Sequence, residues 1–204
     1  MSTNKKKIIV ATGNEGKMNE IRQILGGEGI VFSSLKDEAL QDVEIIEDGK
    51  TFAENALIKA RKIAELTGQM VLADDSGLEV DYLDKAPGIY SARYLGEDTS
   101  YSVKNKYIME QLAGVEDEKR TARFVCVMAC AFPDGDAFTT EGVIEGRIAY
   151  EERGENGFGY DPIFYVPEFG CTTAELSPEE KNKVSHRGRA LTAMYEELQK
   201  RMIL

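Results

Sequence analysis

The chain lacks an excess of positive charge: 25 lysines and arginines stand against 36 aspartates and glutamates, a formal net charge of −11. A protein that grips a nucleic acid polymer needs a basic face to displace counterions, so that class is excluded. A small phosphorylated ligand is not, because a few well-placed cations and a metal ion serve it locally. Cysteine is scarce as well. Cys126, Cys130 and Cys171 form neither a metal-type pair nor an even set for disulfides. The first two lie four apart in an apolar, strand-like run, on one face, and read as buried small hydrophobes. The apolar run that follows Lys5-Lys6-Lys7 is too short for a signal peptide or a membrane span. The expectation is a soluble, cytoplasmic protein with no membrane partner. No internal repeat and no low-complexity linker breaks the chain, and its length of 204 residues suits one large domain or two closely joined lobes.

What is present is organised around Val71-Leu-Ala-Asp-Asp-Ser-Gly-Leu-Glu-Val80. An apolar run over 70–73 reads as a buried strand that stops at Asp74 and Asp75, placing acid groups at the carboxyl end of a sheet, where open α/β sheets bind ligands. Neighbouring carboxylates repel unless a cation, a proton or donors lie between them. The alternative is an Asp-rich turn whose side chains bond their own backbone. Upstream, residues 7–12 read as a strand and Met18, Ile21, Ile24 and Leu25 as one face of a helix stopped by Gly26-Gly27. The strand-to-helix turn between them, Thr12-Gly-Asn-Glu-Gly-Lys17, suits an anion held by backbone N–H groups. It is not a Walker loop, because Ala11 and Met18 occupy positions where that motif has glycine and a hydroxyl.

Residues 29–33 and 43–46 look like further strands. Thr51 with Glu54 makes a capping box for a helix that buries Phe52, Ala56, Leu57, Ala60 and Ile63 or Ala64 and ends at Gly68. Lys59 lies within it, where a lysine is ordinarily a solvated charge. Residues 86–94 suit an ordered loop, residues 99–114 a surface helix, and residues 121–132 with 137–150 a long hairpin. Residues 154–170 interleave glycines and aromatics around a strand at 163–166. Ser177-Pro-Glu-Glu180 opens another helix with cap, N1 proline and capping acid in place. Lys181, Lys183, His186, Arg187 and Arg189 then precede a terminal helix at 190–202.

A glycine turn with Lys17, the acids Glu47, Asp74 and Asp75, the loop Phe158-Gly-Tyr-Asp161 and the cationic turn at Lys181, His186 and Arg187 together offer an anion cradle, a hard-metal site, a π-face and donors. Those are the requirements of a metal-assisted nucleoside triphosphate site. The chain resembles the inosine triphosphate pyrophosphatases (dITP/XTP pyrophosphatases) at Ala11-Thr-Gly-Asn-Glu-Gly-Lys17, Thr51-Phe-Ala-Glu-Asn-Ala56, Ala73-Asp-Asp-Ser-Gly77, Ala86-Pro-Gly-Ile-Tyr-Ser-Ala-Arg-Tyr94, Gly157-Phe-Gly-Tyr-Asp-Pro162 and Ser185-His-Arg-Gly188. These motifs fall in the family's order and span nearly the whole chain.

That resemblance implies a single domain over residues 1–204 with an α/β fold: an elongated mixed β-sheet with flanking helices, in two lobes with a cleft between them, assembled as a homodimer. It implies Mg²⁺ as cofactor, held by Glu47 and Asp75, with Asp75 also the general base. Thr12, Gly13, Asn14, Glu15, Gly16 and Lys17 would hold the triphosphate, joined by Lys59 at the phosphates and Ser76 on the nucleotide. Phe158, Gly159, Tyr160, Asp161, Lys181, His186 and Arg187 would surround the base. The reaction implied is hydrolysis of dITP, ITP or XTP to the nucleoside monophosphate and pyrophosphate.

The chemistry agrees. Magnesium takes one or two carboxylates plus phosphate oxygens and waters, and a carboxylate beside it can accept the proton of an attacking water. Deaminated purines present a keto oxygen at position 6 where adenine presents an amino donor. A donor such as Arg187 or His186 aimed there would reject adenine by roughly four orders of magnitude. His186 also reads as a helix-end cation. Two other functions fit the same residues: a pyrophosphatase for other modified nucleotides, and a non-catalytic nucleotide sensor that would show no turnover.

Overall fold

The computed structural model describes residues 6–26, 29–201 and 203, so Lys5, Gly27 and Met202 lie outside the described residues. The chain forms two compact units: Met1–Asp75, Cys126–Gly142 and Arg187–Leu204 make the first, Ser76–Val125 and Val143–His186 the second. Strands β1 (Lys6–Val10), β2 (Ile30–Ser34), β3 (Val71–Val80), β4 (Thr121–Ala131), β5 (Ala137–Ile148), β6 (Phe164–Val166) and β7 (Cys171–Thr172) form one sheet in the order β2-β1-β3-β4-β5-β6-β7. β1 runs parallel to β2 and β3, while β6 is antiparallel to β5 and β7, so the sheet is mixed. Five helices accompany it among the described residues: α1 (Glu15–Leu25), α2 (Phe52–Thr67), α3 (Tyr101–Gln111), α4 (Pro178–Val184) and α5 (His186–Lys200). The α/β class with a mixed sheet and flanking helices is the one expected.

In the first unit, period-2 alternation sends Ile8, Val10, Leu72, Cys126, Met128 and Cys130 to one sheet face. There they pack on Met18, Ile21 and Leu25 of α1 and on Ala190, Leu191, Met194 and Leu198 of α5. The cysteines are core hydrophobes, and burial pushes the Cys130 thiol up to about 12. α2 starts at the Thr51 cap, whose hydroxyl accepts the Glu54 N–H, and ends at Gly68 in the left-handed conformation at φ 62°. The capping box is only half formed, because the Glu54 carboxylate takes the N–H of Lys50 instead of that of Thr51.

The second unit gathers Leu78, Val80, Ile108, Leu112, Phe124, Ile144, Ile148, Ile163 and Phe164 into its own core. Arg120 is a buried cation there that, among the described residues, makes no carboxylate bond. Its guanidinium donates to the carbonyls of Leu112 (2.7 Å), Ala149 (2.8 Å) and Ile148 (2.9 Å) and lies 4.2 Å from the centre of the Tyr150 ring. α4 carries the full capping box foreseen at Ser177 and Glu180.

Four expectations need correction. β3 does not stop at Asp74; it continues through both aspartates to Val80. Nor are the acids an Asp-rich turn. Mid-strand carboxylates are tolerated because each is met by cations, as described below. Residues 43–46 alternate as a strand would but join no ladder, and Ile46 is 69% exposed, since that segment has no strand alongside it to pair with. The last helix begins at His186, four residues before the apolar stripe that signalled it.

Candidate active site

The turn after β1 shapes itself with its own side chains. Thr12 Oγ1 accepts the Asn14 N–H at 3.2 Å, and Asn14 Oδ1 caps α1 by accepting the Lys17 N–H at 3.1 Å; such a cap is worth about 1 kcal/mol. Gly13, Asn14 and Glu15 are exposed, Gly16 and Lys17 half-buried, and nothing lies within 4 Å of the place a Cβ on Gly13 would take. This is backbone open to an anion at a helix N-terminus.

Because β3 continues through them, Asp74 and Asp75 point to opposite faces of the sheet. Asp74 shares its face with Leu72, toward α1 and α5. Its Oδ2 lies 2.9 Å from Lys17 Nζ and 3.4 Å from Arg187 Nη2, and the same guanidinium bonds Glu20. Burial opposes the charge of Arg187, but Asp74 and Glu20 outweigh it and hold the guanidinium protonated. Asp75 faces α2. Its Oδ2 accepts from Asn55 Nδ2 at 3.2 Å, and its Oδ1 lies 3.5 Å from Lys59 Nζ. Lys59 Nζ in turn lies 2.7 Å from Glu47 Oε2. Burial raises the Asp75 pKa against the pull of Lys59, Lys17 and the Asn55 bond. Burial lowers that of Lys59, but Asp75, Asp74 and Glu47 leave it raised.

The first unit therefore brings together Thr12 to Lys17, Glu47, Lys59, Asp74, Asp75 and Arg187. Ser76, the next β3 residue, is half-buried in the second unit with the remaining candidates. Lys181 Nζ lies 2.7 Å from Asp161 Oδ2 and 4.8 Å from the centre of the Phe158 ring. Asp161 also accepts the Phe158 N–H (2.7 Å) and the Thr173 hydroxyl (2.8 Å), so it fixes the loop that presents the ring. Gly157, at φ +76°, is required there: a Cβ would stand 2.3 Å from Asp161 Oδ2. Tyr160 is turned into the core, donating to the Ser91 carbonyl at 2.8 Å and meeting Tyr101 edge-on. The Gly159 carbonyl accepts from Asn105 Nδ2 at 3.3 Å. His186 stacks on Phe124 at 4.7 Å. The adjacent His186 and Arg187, expected to act on the same base, thus have different partners.

Sequence reasoning missed Asn55 and Glu20. Asn55 is detectable: it lies in Thr51-Phe-Ala-Glu-Asn-Ala56 and four residues before Lys59, on the same helical face. Glu20 is three residues beyond Lys17 on α1 and carries no signal of its own.

Among the described residues no group of three or more acid, histidine or cysteine side chains could hold a metal. Two hard carboxylates, Glu47 and Asp75, do converge on one cationic group, the Lys59 ammonium. That donor set fits magnesium, which takes one or two carboxylates and completes its shell with waters and phosphate oxygens.

Comparison with known proteins is consistent throughout. A sequence profile of the Ham1 family matches residues 8–197. A dITP/XTP pyrophosphatase of Exiguobacterium sibiricum is 50% identical over 186 residues, covering 91% of this chain and 93% of that protein. One from Thermus thermophilus is 50% identical over 190 residues, covering 93% and 90%. Among solved structures, a HAM1 protein from Coxiella burnetii superposes with a TM-score of 0.86 at 43% identity, covering 96% of this chain and 99% of that one. The Staphylococcus aureus Ham1 protein gives 0.87 at 40% identity, covering 96% and 100%. With the family profile matching residues 8–197 and relatives half identical over nine-tenths of its length, the chain belongs to the Ham1 family.

Proposed function

We propose that this protein hydrolyses deaminated purine nucleoside triphosphates (dITP, ITP and XTP) to the monophosphate and pyrophosphate, with Mg²⁺ as cofactor. The observation that carries the reading is the convergence of Glu47 and Asp75, from separate segments, on the Lys59 ammonium. A sensor of polyanions gains nothing from two carboxylates facing its ligand; a metal-assisted hydrolase requires them. Glu47 and Asp75 would hold the ion, which supplies neutralisation of the phosphoryl oxygens as charge spreads in the transition state.

The remaining work belongs to this chain's own groups. Asp75, whose pKa burial raises, is suited to accept a proton from the attacking water, since a base works best with a pKa nearer the working pH. The turn from Gly13 to Gly16 and the Lys17 ammonium bind the polyphosphate, and Lys59 exchanges its carboxylates for phosphate oxygens. Asp74 orients Lys17 and Arg187. Phe158 stacks on the base without choosing among bases. Lys181, held by Asp161 beside that ring, and His186 are the donors for the keto oxygen, while Arg187 is committed to Asp74 and Glu20. We read the two units as parts of one domain, because the family match runs through both. A homodimer in the cytoplasm is the assembly and location this reading carries; among the described residues no helix is long and apolar enough to cross a membrane.

The test is a product assay with magnesium across dITP, XTP, dGTP and dATP that separates pyrophosphate from orthophosphate. The expected result is pyrophosphate from dITP and XTP, with dATP left intact. Orthophosphate alone, or no turnover on any of the four, overturns the reading.

A further inference from the structure

The segment that brings Glu47 to Asp75 has no ladder of its own. Residues 41–50 are half-buried or exposed and join no strand. What fastens them is the first half of α2: Lys50 N–H donates to Glu54, Gly49 N–H donates to Asn55 Oδ1 at 2.9 Å, and Glu47 meets Lys59. Of these helix residues only Asn55 touches both the segment and Asp75 without being a charge. It is fully buried at 0% exposure, so both ends of its amide must be satisfied. The amide has one consistent orientation. Its oxygen faces a backbone N–H and its nitrogen faces the Asp75 carboxylate at 3.2 Å; turned over, it would set donor against donor and acceptor against acceptor. Gly49 completes the fit. A Cβ there would stand 2.6 Å from Asn55 Oδ1 and 2.7 Å from Glu54 Cβ, so any side chain pushes the segment off the helix.

We propose that Asn55 is a positioning residue that, through Gly49, ties the segment carrying Glu47 to Asp75, so that two carboxylates from separate segments act as one set. This rests on the reading of Glu47 and Asp75 as the acidic metal ligands. The two halves of the amide act separately. Its oxygen holds the segment, and its nitrogen orients Asp75 so that Oδ1 remains the oxygen turned toward Glu47 and Lys59.

The experiment is Mn²⁺ titration by EPR in the presence of α,β-imido-dITP, with steady-state kinetics on dITP and hydrogen exchange of residues 43–50. Asn55→Ala is expected to weaken Mn²⁺ binding at least tenfold and lower kcat about a hundredfold, with KM within threefold of the parent and faster exchange over 43–50. Gly49→Ala breaks the same tether from the other side and should give the same Mn²⁺ loss. The double variant should be no worse than either single one, because both remove one coupling. Asn55→Asp keeps the acceptor for Gly49 N–H but loses the donor to Asp75, so exchange over 43–50 stays within threefold of the parent while kcat falls. Parent-like Mn²⁺ affinity in folded Gly49→Ala and Asn55→Ala, or losses that multiply in the double variant, overturn the proposal. Glu47→Gln separates the two failures. If it leaves Mn²⁺ affinity unchanged, the metal reading itself is wrong; if it weakens binding while Asn55→Ala and Gly49→Ala do not, only the tether is wrong.

Discussion

Asp74 and Asp75 carry the same side chain side by side and yet have unlike surroundings. Asp75 meets one amide and one lysine that it shares with Glu47; Asp74 lies between Lys17 and Arg187, whose guanidinium also bonds Glu20. Asp75→Asn is therefore expected to lower kcat by about three orders of magnitude, the upper part of the range for a lost general base. Nucleotide affinity, read by calorimetry, should stay within a few-fold. Asp74→Asn removes one of the carboxylates that neutralise the buried Arg187 guanidinium while Glu20 stays on it, a loss of about 3 kcal/mol, the lower end of the usual cost of breaking a buried pair. Urea unfolding should show it as the less stable of the two variants. Arg120 belongs at the same scale. Arg120→Met takes a charged donor from three carbonyls, of which that of Leu112 keeps the Val115 N–H, and should cost about 3 kcal/mol, the upper value for a hydrogen bond to a charged group, with kcat on dITP unchanged. Glu47, Lys59 and Asp75 are legible from sequence because acids and lysines stand out against turn and helix. Asn55 is harder to read: a polar residue in the first turn and a half of a helix usually faces water, and only its spacing four residues before Lys59 places it on the same face.

Elements with local punctuation are legible in the sequence. α2 and α4 begin at the caps that Thr51 and Ser177 provide, and the hairpin of β4 and β5 follows its alternation. Where the deciding partner is remote, pattern failed. Residues 43–46 alternate without a neighbouring strand, and the continuation of β3 past Asp74 depends on Lys17, Lys59 and Arg187, which the local sequence cannot show. α5 begins early for a related reason, since His186 and Arg187 are polar yet buried. The link between β1 and β2 offers a pH test. Lys7 and then Ser33 bond the Glu38 carboxylate and hold its pKa below the ordinary 4.5. A depressed carboxylate stabilises the fold above its unfolded pKa and loses that contribution as pH falls through its folded value. Urea midpoints should thus drop as pH falls below about 4.5, and Glu38→Gln should flatten that drop.

At the scale of the molecule, composition alone limits the classes of partner. An acidic chain of 204 residues with three cysteines pointed to a small anionic ligand and to thiols in a core. Cys126 and Cys130 are fully buried and Cys171 is half-buried. A thiol reagent at pH 8 should accordingly modify at most one cysteine in the native protein and all three after denaturation. The continuity of β3 has a consequence for how this chain tolerates change. Parity alone decides which of the twin aspartates meets α2 and which meets α5: odd numbers look one way, even numbers the other. Dropping or adding a single residue among Val71, Leu72 and Ala73 would swap their addresses without altering either side chain. Each acid would then arrive at cations arranged for its sibling, and a frame error of one residue would do what no conservative replacement there can.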